Sequence, residues 1–284
     1  LAGLLAGLAG CRFAEDKAER IIVPQPLSVT HEVGKFTFDA NTVITVPGDE
    51  QKQVAEMFAS LFDKSAGFVP RVVVGTQGDI CLLADESMKD DAYTLSVRQD
   101  KIIIKAKDNR GFFYALQSIR LMLPPSIDYM KKDVAKWSIP SVDINDEPRF
   151  GYRGFMLDVS RFFMPKDDLM RMIDCMSMLK LNKLHLHLTD DNGWRLEIKK
   201  YPKLTEVGAW RVDRQDKPFP DRRNPERNEP VTVGGFYTQE DMKEIIEYAA
   251  LRQIEIIPEI DIPAHSNAAL ASYPEFACPT VDKF

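Results

Sequence analysis

Three short stretches gather the side chains able to do chemistry, and each follows an apolar run. Asp158 and Arg161 come after Phe155-Met156-Leu157. Asp190 and Asp191 come after Leu184-His185-Leu186-His187-Leu188. Glu259, Asp261 and His265 come after Ile254-Glu255-Ile256-Ile257. Arginine carries a planar fork of donors that grips two neighbouring hydroxyls or a carboxylate. A structural salt bridge uses the same fork, and spacing alone serves both readings equally. His185 and His187 point the same way if their stretch is a strand, because side chains alternate. Beside Asp190 and Asp191 they allow polar packing, a metal site built on paired histidines, or a sugar site. In the last, carboxylates accept bonds from hydroxyls and Trp194 or Trp210 supplies an apolar face. His265 serves equally as a base, an orienting partner for Asp190, or a surface residue.

The elements that must position these residues follow from patterning. From Phe150 a strand at 155–157 is followed by a helix from about Pro165 to Leu181. Its stripe is Leu169, Met172, Ile173, Met176 and Leu179, and Asn182 is placed to end it. A second strand spans 184–188, and a long charged loop runs to Gly235. Thr238 then caps a helix carrying Met242, Ile245, Ile246, Ala249 and Ala250, and a third strand begins at Ile254. Strand, helix, strand, helix, strand is the rhythm of a parallel α/β fold. No Gly-rich phosphate loop follows any strand, so a dinucleotide or P-loop fold has no support. Polar groups after every strand instead match a (β/α)8 TIM barrel, whose site is built at the strands' C-terminal ends. Such a barrel takes about 250 residues, so 150–284 is expected to hold about three of its eight strands. Before it, short strands and two amphipathic helices (about 51–64 and 111–121) predict a small α+β domain over 21–124. Residues 125–149, interrupted by Pro140 and Pro148, read as a linker.

The 284 residues carry 37 Lys plus Arg against 43 Asp plus Glu, a net charge of −6, with 44% apolar and 28% charged residues. That is an ordinary globular composition, and it excludes a disordered chain and a multi-span membrane protein. The acidic balance argues against nucleic acid as a partner. Four scattered cysteines do not make a disulfide scaffold or a zinc ribbon. Leu1–Gly10 is too short to span a bilayer but fits the apolar part of a secretory signal. Leu8-Ala9-Gly10-Cys11 resembles the lipobox of bacterial lipoproteins, in which the cysteine carries the lipid. Residues 1–20 are thus expected to be a signal remnant and tether, with Cys11 as the lipid anchor. The location implied is the bacterial cell envelope, on the outer membrane or facing the periplasm.

Four blocks together resemble the start of the catalytic barrel of glycoside hydrolase family 20, the β-N-acetylhexosaminidases. They are Arg153-Gly154-Phe155-Met156-Leu157-Asp158-Val159-Ser160-Arg161; Lys180 to Asp191 with Gly193-Trp194-Arg195; Gly234-Gly235-Phe236-Tyr237-Thr238; and Pro258 to His265. Domain 21–124 is similar in size and pattern to the small α+β domain that precedes this barrel in the family. The resemblance implies release of terminal β-linked GlcNAc or GalNAc from glycans, with retention of configuration. The substrate's acetamido oxygen attacks the anomeric carbon to give an oxazolinium ion, an exception to the two-carboxylate scheme. By position, Arg161 matches the arginine that binds the sugar's outer hydroxyls. Asp190 and His265 match a supporting hydrogen-bonded pair, with Asp191 and Glu259 as secondary candidates. No metal or other cofactor is implied. The family's catalytic Asp-Glu pair belongs to a fourth strand, expected beyond Phe284. The adjacent Asp-Glu pairs here, at 49–50, 85–86 and 146–147, all precede the barrel, so the given chain is expected to be an inactive fragment of a hexosaminidase. Ala264 stands where many members have Gly, and Phe162-Phe163 where many have His-Phe. Two rival readings stay open: a metal-dependent amidohydrolase, and a lipoprotein that binds N-acetylated glycans without cleaving them. The oligomeric state is not legible.

Overall fold

The computed structural model describes residues 22–129, 131–214, 216–218, 226 and 228–278. The expected anchor Cys11 and tether lie outside the described residues. No described helix is long and apolar enough to cross a membrane.

The N-terminal unit is one seven-stranded sheet with two helices. Its strands are β1 (Ser28–Thr37), β2 (Val43–Val46), β3 (Arg71–Val74), β4 (Ile80–Ala84), β5 (Tyr93–Val97), β6 (Ile102–Ala106) and β7 (Ser138–Asp146), in the spatial order β1-β7-β5-β6-β4-β2-β3. Helix α1 (Asp49–Ala66) ends at Gly67, which takes the left-handed conformation (φ +77°) that a Cβ would strain. Helix α2 (Asn109–Met122) starts where the Asp108 carboxylate accepts from the Gly111 N–H. Phe38, Phe58, Phe62, Phe112, Phe113 and Trp137 dominate the core between helices and sheet.

This unit corrects the expected linker. Residues 138–146 form β7, which pairs antiparallel with β1 on one side and β5 on the other. Pro140 misled because proline cannot donate to a ladder. It lies opposite Lys35 of β1, before the β5 pairing begins at Val142, so no β5 partner asks for its missing N–H.

The second unit has strands β8 (Gly154–Asp158), β9 (Lys183–His187) and β14 (Glu255–Glu259), all parallel, with β9 in the centre. Helices α3 (Lys166–Met178) and α5 (Gln239–Leu251) cover one face, where Leu184 and Leu186 meet Leu169, Ile173, Met176, Met242 and Ile245. Asn182 does not end α3. The helix closes at Leu179, Lys180 turns left-handed (φ +57°), and the Asn182 side chain ties Arg153 N–H and the Gly151 carbonyl instead. The expected long loop holds structure of its own: β10 (Thr189–Asp190) with β11 (Gly193–Trp194), a short helix α4 (Lys203–Glu206), and β12 (Trp210–Val212) with β13 (Val231–Gly234). A last helix, α6 (Asn267–Ser272), follows β14.

The units meet through buried and half-buried polar contacts. Lys180 Nζ donates to Asp146 Oδ2 (2.9 Å) and to the Tyr93 hydroxyl (3.0 Å). Arg153 donates to the Tyr114 hydroxyl (2.7 Å) and Asp91 Oδ2 (3.2 Å). Burial pulls the Lys180 amine below its ordinary value despite the Asp146 carboxylate beside it.

Candidate functional site

The parallel register decides which side chains meet. Asp158 lies beside His187, and His187 beside Glu259, so the three strands end on one row of titratable groups. Leu184 and Leu186 pack under the helices; His185 and His187 point to the opposite face, where both reach Glu259. His185 Nε2 is 2.5 Å from Glu259 Oε2, and His187 Nδ1 is 2.9 Å from Glu259 Oε1. The other nitrogen of His187, Nε2, is 3.0 Å from Asp190 Oδ2. A nearly buried imidazole thus bridges two carboxylates. Burial opposes its charge, but Asp190 and Glu259 overcome that cost and raise its pKa above the ordinary value. The His187 hydrogen bond in turn holds the Glu259 carboxyl below its usual range.

Arg161 closes this row at the solvent side. Its Nη1 donates to Asp158 Oδ2 (2.7 Å) and its Nη2 sits 2.7 Å from Asp190 Oδ2. Asp158 also accepts from the backbone N–H groups of Ser160 (3.0 Å) and Arg161 (2.9 Å). Burial would raise the Asp158 carboxyl, but the Arg161 N–H and guanidinium hold it below the usual range. The Asp158 hydrogen bond raises the Arg161 guanidinium further above its already high value. Its side chain is 46% exposed, so outward donors remain for a ligand.

His265 approaches the row from the segment after β14, with a left-handed backbone (φ +51°). Its Nδ1 lies 3.5 Å from Asp190 Oδ2 and 3.4 Å from Asp191 Oδ2. The structure therefore gathers Arg161, Asp190, Asp191, Glu259 and His265, but the imidazole nearest Asp190 is His187. Asp190, Asp191 and His265 present ligand atoms within 4.8 Å of one another. The Arg161 guanidinium on Asp190 already supplies the positive charge a cation would bring. Trp194 does not offer an open face to this row: it is buried against Leu204 and Ala268, with its indole N–H on the Leu196 carbonyl. It borders a separate apolar groove of about 410 Å³ with Tyr201, Pro263, Tyr273 and Phe276.

Sequence reasoning missed the bridging role of His187, whose only signal was its place two residues after His185. It also missed two arginines under the Arg161 turn. Arg195 is fully buried and Arg211 Nη2 donates to the Arg161 carbonyl (2.7 Å). A buried arginine directly after Gly193-Trp194 has no periodic signature.

The two-unit architecture places an α+β domain ahead of a parallel α/β unit, with an exposed arginine held by carboxylates at the strand ends. Residues 150–283 match the catalytic domain of glycosyl hydrolase family 20, and residues 19–147 match domain 2 of the same family. The chain belongs to glycosyl hydrolase family 20. It is 37% identical over 262 residues to a β-hexosaminidase of Porphyromonas gingivalis, covering 90% of this chain and 32% of that protein. It is 40% identical over 273 residues to N,N'-diacetylchitobiase of Vibrio harveyi, covering 92% of this chain and 29% of that one. The structure is similar to Streptomyces plicatus N-acetyl-β-hexosaminidase in complex with Thio-NAglucal, with a TM-score of 0.81 and 35% identity, covering 92% of this chain and 49% of that one. The chain thus spans about a third of the length of these two curated relatives.

Proposed function

We propose that this chain belongs to a β-N-acetylhexosaminidase and supplies the part of its site that holds the terminal sugar. The observation that carries the reading is Arg161, fixed by Asp158 and Asp190 yet open to solvent, in a chain whose relatives bear hexosaminidase names. Its remaining N–H groups suit the outer hydroxyls of a non-reducing sugar, a bidentate task for which arginine is fitted. Asp190 and His265 support that arginine, Asp191 closes the same edge, and Glu259 acts through His187. The three parallel strands are the opening strands of a (β/α)8 barrel, a reading supported by their sequential order and by catalytic-type side chains at their C-terminal ends.

The reaction is retaining and substrate-assisted. The acetamido oxygen attacks the anomeric carbon as the glycosidic bond breaks, a general acid protonates the leaving oxygen, and water then opens the oxazolinium ion. No adjacent Asp-Glu lies beyond Glu147 in these 284 residues, so they bind the sugar and do not by themselves supply the acid. The substrate is a glycan ending in β-linked N-acetylhexosamine.

The test is hydrolysis of the 4-nitrophenyl β-glycosides of GlcNAc and GalNAc by the full-length gene product. The β-anomer is the expected first product by NMR, and the 284 residues alone release no nitrophenol. Arg161→Ala lowers kcat/KM about a hundredfold, the loss of roughly 2.7 kcal/mol of charge-assisted binding. A full-length product that binds N-acetylglucosamine but never cleaves the glycosides replaces this reading with glycan binding. Lipid attachment at Cys11 and an envelope location are part of the same proposal, supported by Leu8-Ala9-Gly10-Cys11. Cys11→Ser should then move the protein from the detergent phase to the aqueous phase in a detergent partition.

A further inference from the structure

Arg195 is fully buried, yet every hydrogen-bond partner of its guanidinium among the described residues is a backbone carbonyl. Nε donates to Val159 (3.2 Å) and Ser160 (3.2 Å), Nη2 to Ser160 (2.7 Å) and Asn192 (3.4 Å), and Nη1 to Ala209 (2.5 Å) and Gly235 (3.0 Å). A buried charge without a carboxylate is tolerated only where its donors are satisfied. Burial lowers the Arg195 pKa only to about 10, so the guanidinium stays charged near neutrality. The surroundings are shaped for it. A Cβ on Gly193 would lie 2.3 Å from the guanidinium carbon, and the Phe163 ring centroid is 5.9 Å from that carbon.

The five carbonyls it collects come from four separate stretches, and those of Val159 and Ser160 open the turn that carries Arg161. Arg211 takes the next carbonyl, that of Arg161 itself, at 2.7 Å. The N–H groups of Ser160 and Arg161 both go to Asp158. The polar backbone of this turn is thus bound on both sides before any ligand arrives, and the other carbonyls on Arg195 are those of Asn192, Ala209 and Gly235, the last two at either end of the β12–β13 excursion. Preorganisation of this kind removes an ordering cost from binding.

We propose that Arg195 is a positioning residue for Arg161: its fork fixes the turn that aims the sugar-binding guanidinium and ties that turn to the excursion between Ala209 and Gly235. The inference rests on the hexosaminidase reading for its substrate. Because Arg161 contacts the sugar in both ground and transition states, losing its aim raises KM with little change in kcat. A merely structural role lowers the fraction of folded enzyme and so kcat, leaving KM unchanged.

The experiment uses the full-length gene product with 4-nitrophenyl N-acetyl-β-glucosaminide. Arg195→Ala raises KM about tenfold or more, in line with one lost charge-assisted hydrogen bond. Millimolar guanidinium, far below denaturing strength, restores KM, and the same concentration of sodium chloride does not. Hydrogen exchange in the peptide spanning 157–163 speeds up in the variant and slows again with guanidinium. Arg195→Lys keeps the charge but not the planar fork, so it shows the raised KM even where the alanine variant fails to fold. An unchanged KM in folded Arg195→Ala or Arg195→Lys, or a loss that guanidinium does not restore, overturns the proposal. An inactive wild type overturns the hexosaminidase reading instead, and the exchange at 157–163 then decides Arg195 by itself.

Discussion

His187 is the residue on which the site's charge balance turns. It faces Asp190 from β10, Glu259 from β14 and Asp158 from β8, with His185 beyond Glu259 and Arg161 beyond Asp190. Its raised pKa means that it stabilises the folded state fully below its unfolded value of about 6.5, and that this is lost as pH rises through the higher folded value. The lowered pKa of Glu259 has the opposite sense: its contribution is present above the unfolded value of about 4.3 and is lost as pH falls. The difference in Tm between wild type and His187→Asn is therefore expected to be widest between roughly pH 4.3 and 6.5 and to shrink as pH rises further. A difference that grows steadily toward alkaline pH would show that the imidazole is not held as the cation.

At the scale of elements, caps and pairing matter more than single contacts. Helix α5 begins with a reciprocal capping box: Thr238 Oγ1 accepts from Asp241 N–H, and Asp241 accepts from Thr238 N–H. Asp241 also receives Lys166 Nζ from α3 (2.6 Å), so one carboxylate caps a helix and joins it to its neighbour. Thr238→Ala should cost about 1 kcal/mol, read from denaturant midpoints. Strand β7 makes a stronger claim. It sits between β1 and β5, and its residues Ile139, Val142 and Ile144 are in the core. A piece spanning 22–147 is expected to fold cooperatively, whereas 22–124 leaves β1 and β5 without their shared partner. Equal thermal transitions for the two pieces would contradict the sheet order.

Over the whole molecule, the two units are joined by the buried Lys180 and the half-buried Arg153, cations that meet Tyr93, Asp146, Tyr114 and Asp91. Removing one partner of a buried pair leaves the other charge uncompensated, at a cost of about 3–5 kcal/mol. Lys180→Ala should destabilise the protein by that order and separate the unfolding of the two units. Tryptophan reports each side, with Trp137 in the first unit and Trp194 and Trp210 in the second. Single-transition unfolding at the wild-type midpoint would mean that the junction carries little energy. The second unit also exposes Phe155, Met156, Ile260 and Ile262. Apolar surface on the edge strand β8 and just after β14 favours association, and light scattering on the 284 residues alone should report it.

What was legible in the sequence is what local chemistry controls. The periods of α1, α2, α3 and α5, the Thr238 cap, and the polar groups after β8, β9 and β14 all appear in consecutive residues, and so do the blocks that carry the family resemblance. The tertiary structure decided what depends on distant partners. Pro140 made β7 look like a linker because its tolerance depends on where β5 pairing begins, a relation across more than forty residues that no local window contains. Asp190 was matched with His265, whose Nδ1 lies 3.5 Å away; parallel register also sets His187 beside both Asp158 and Glu259, and the step from β9 into β10 brings Asp190 onto it at 3.0 Å. Arg195 entered the sequence reading only as the last residue of the Gly193-Trp194-Arg195 block. Only the folding of four stretches around one guanidinium shows it as the buried support of Arg161, because hydrogen bonds to backbone carbonyls leave no trace in the identity of the residues that offer them.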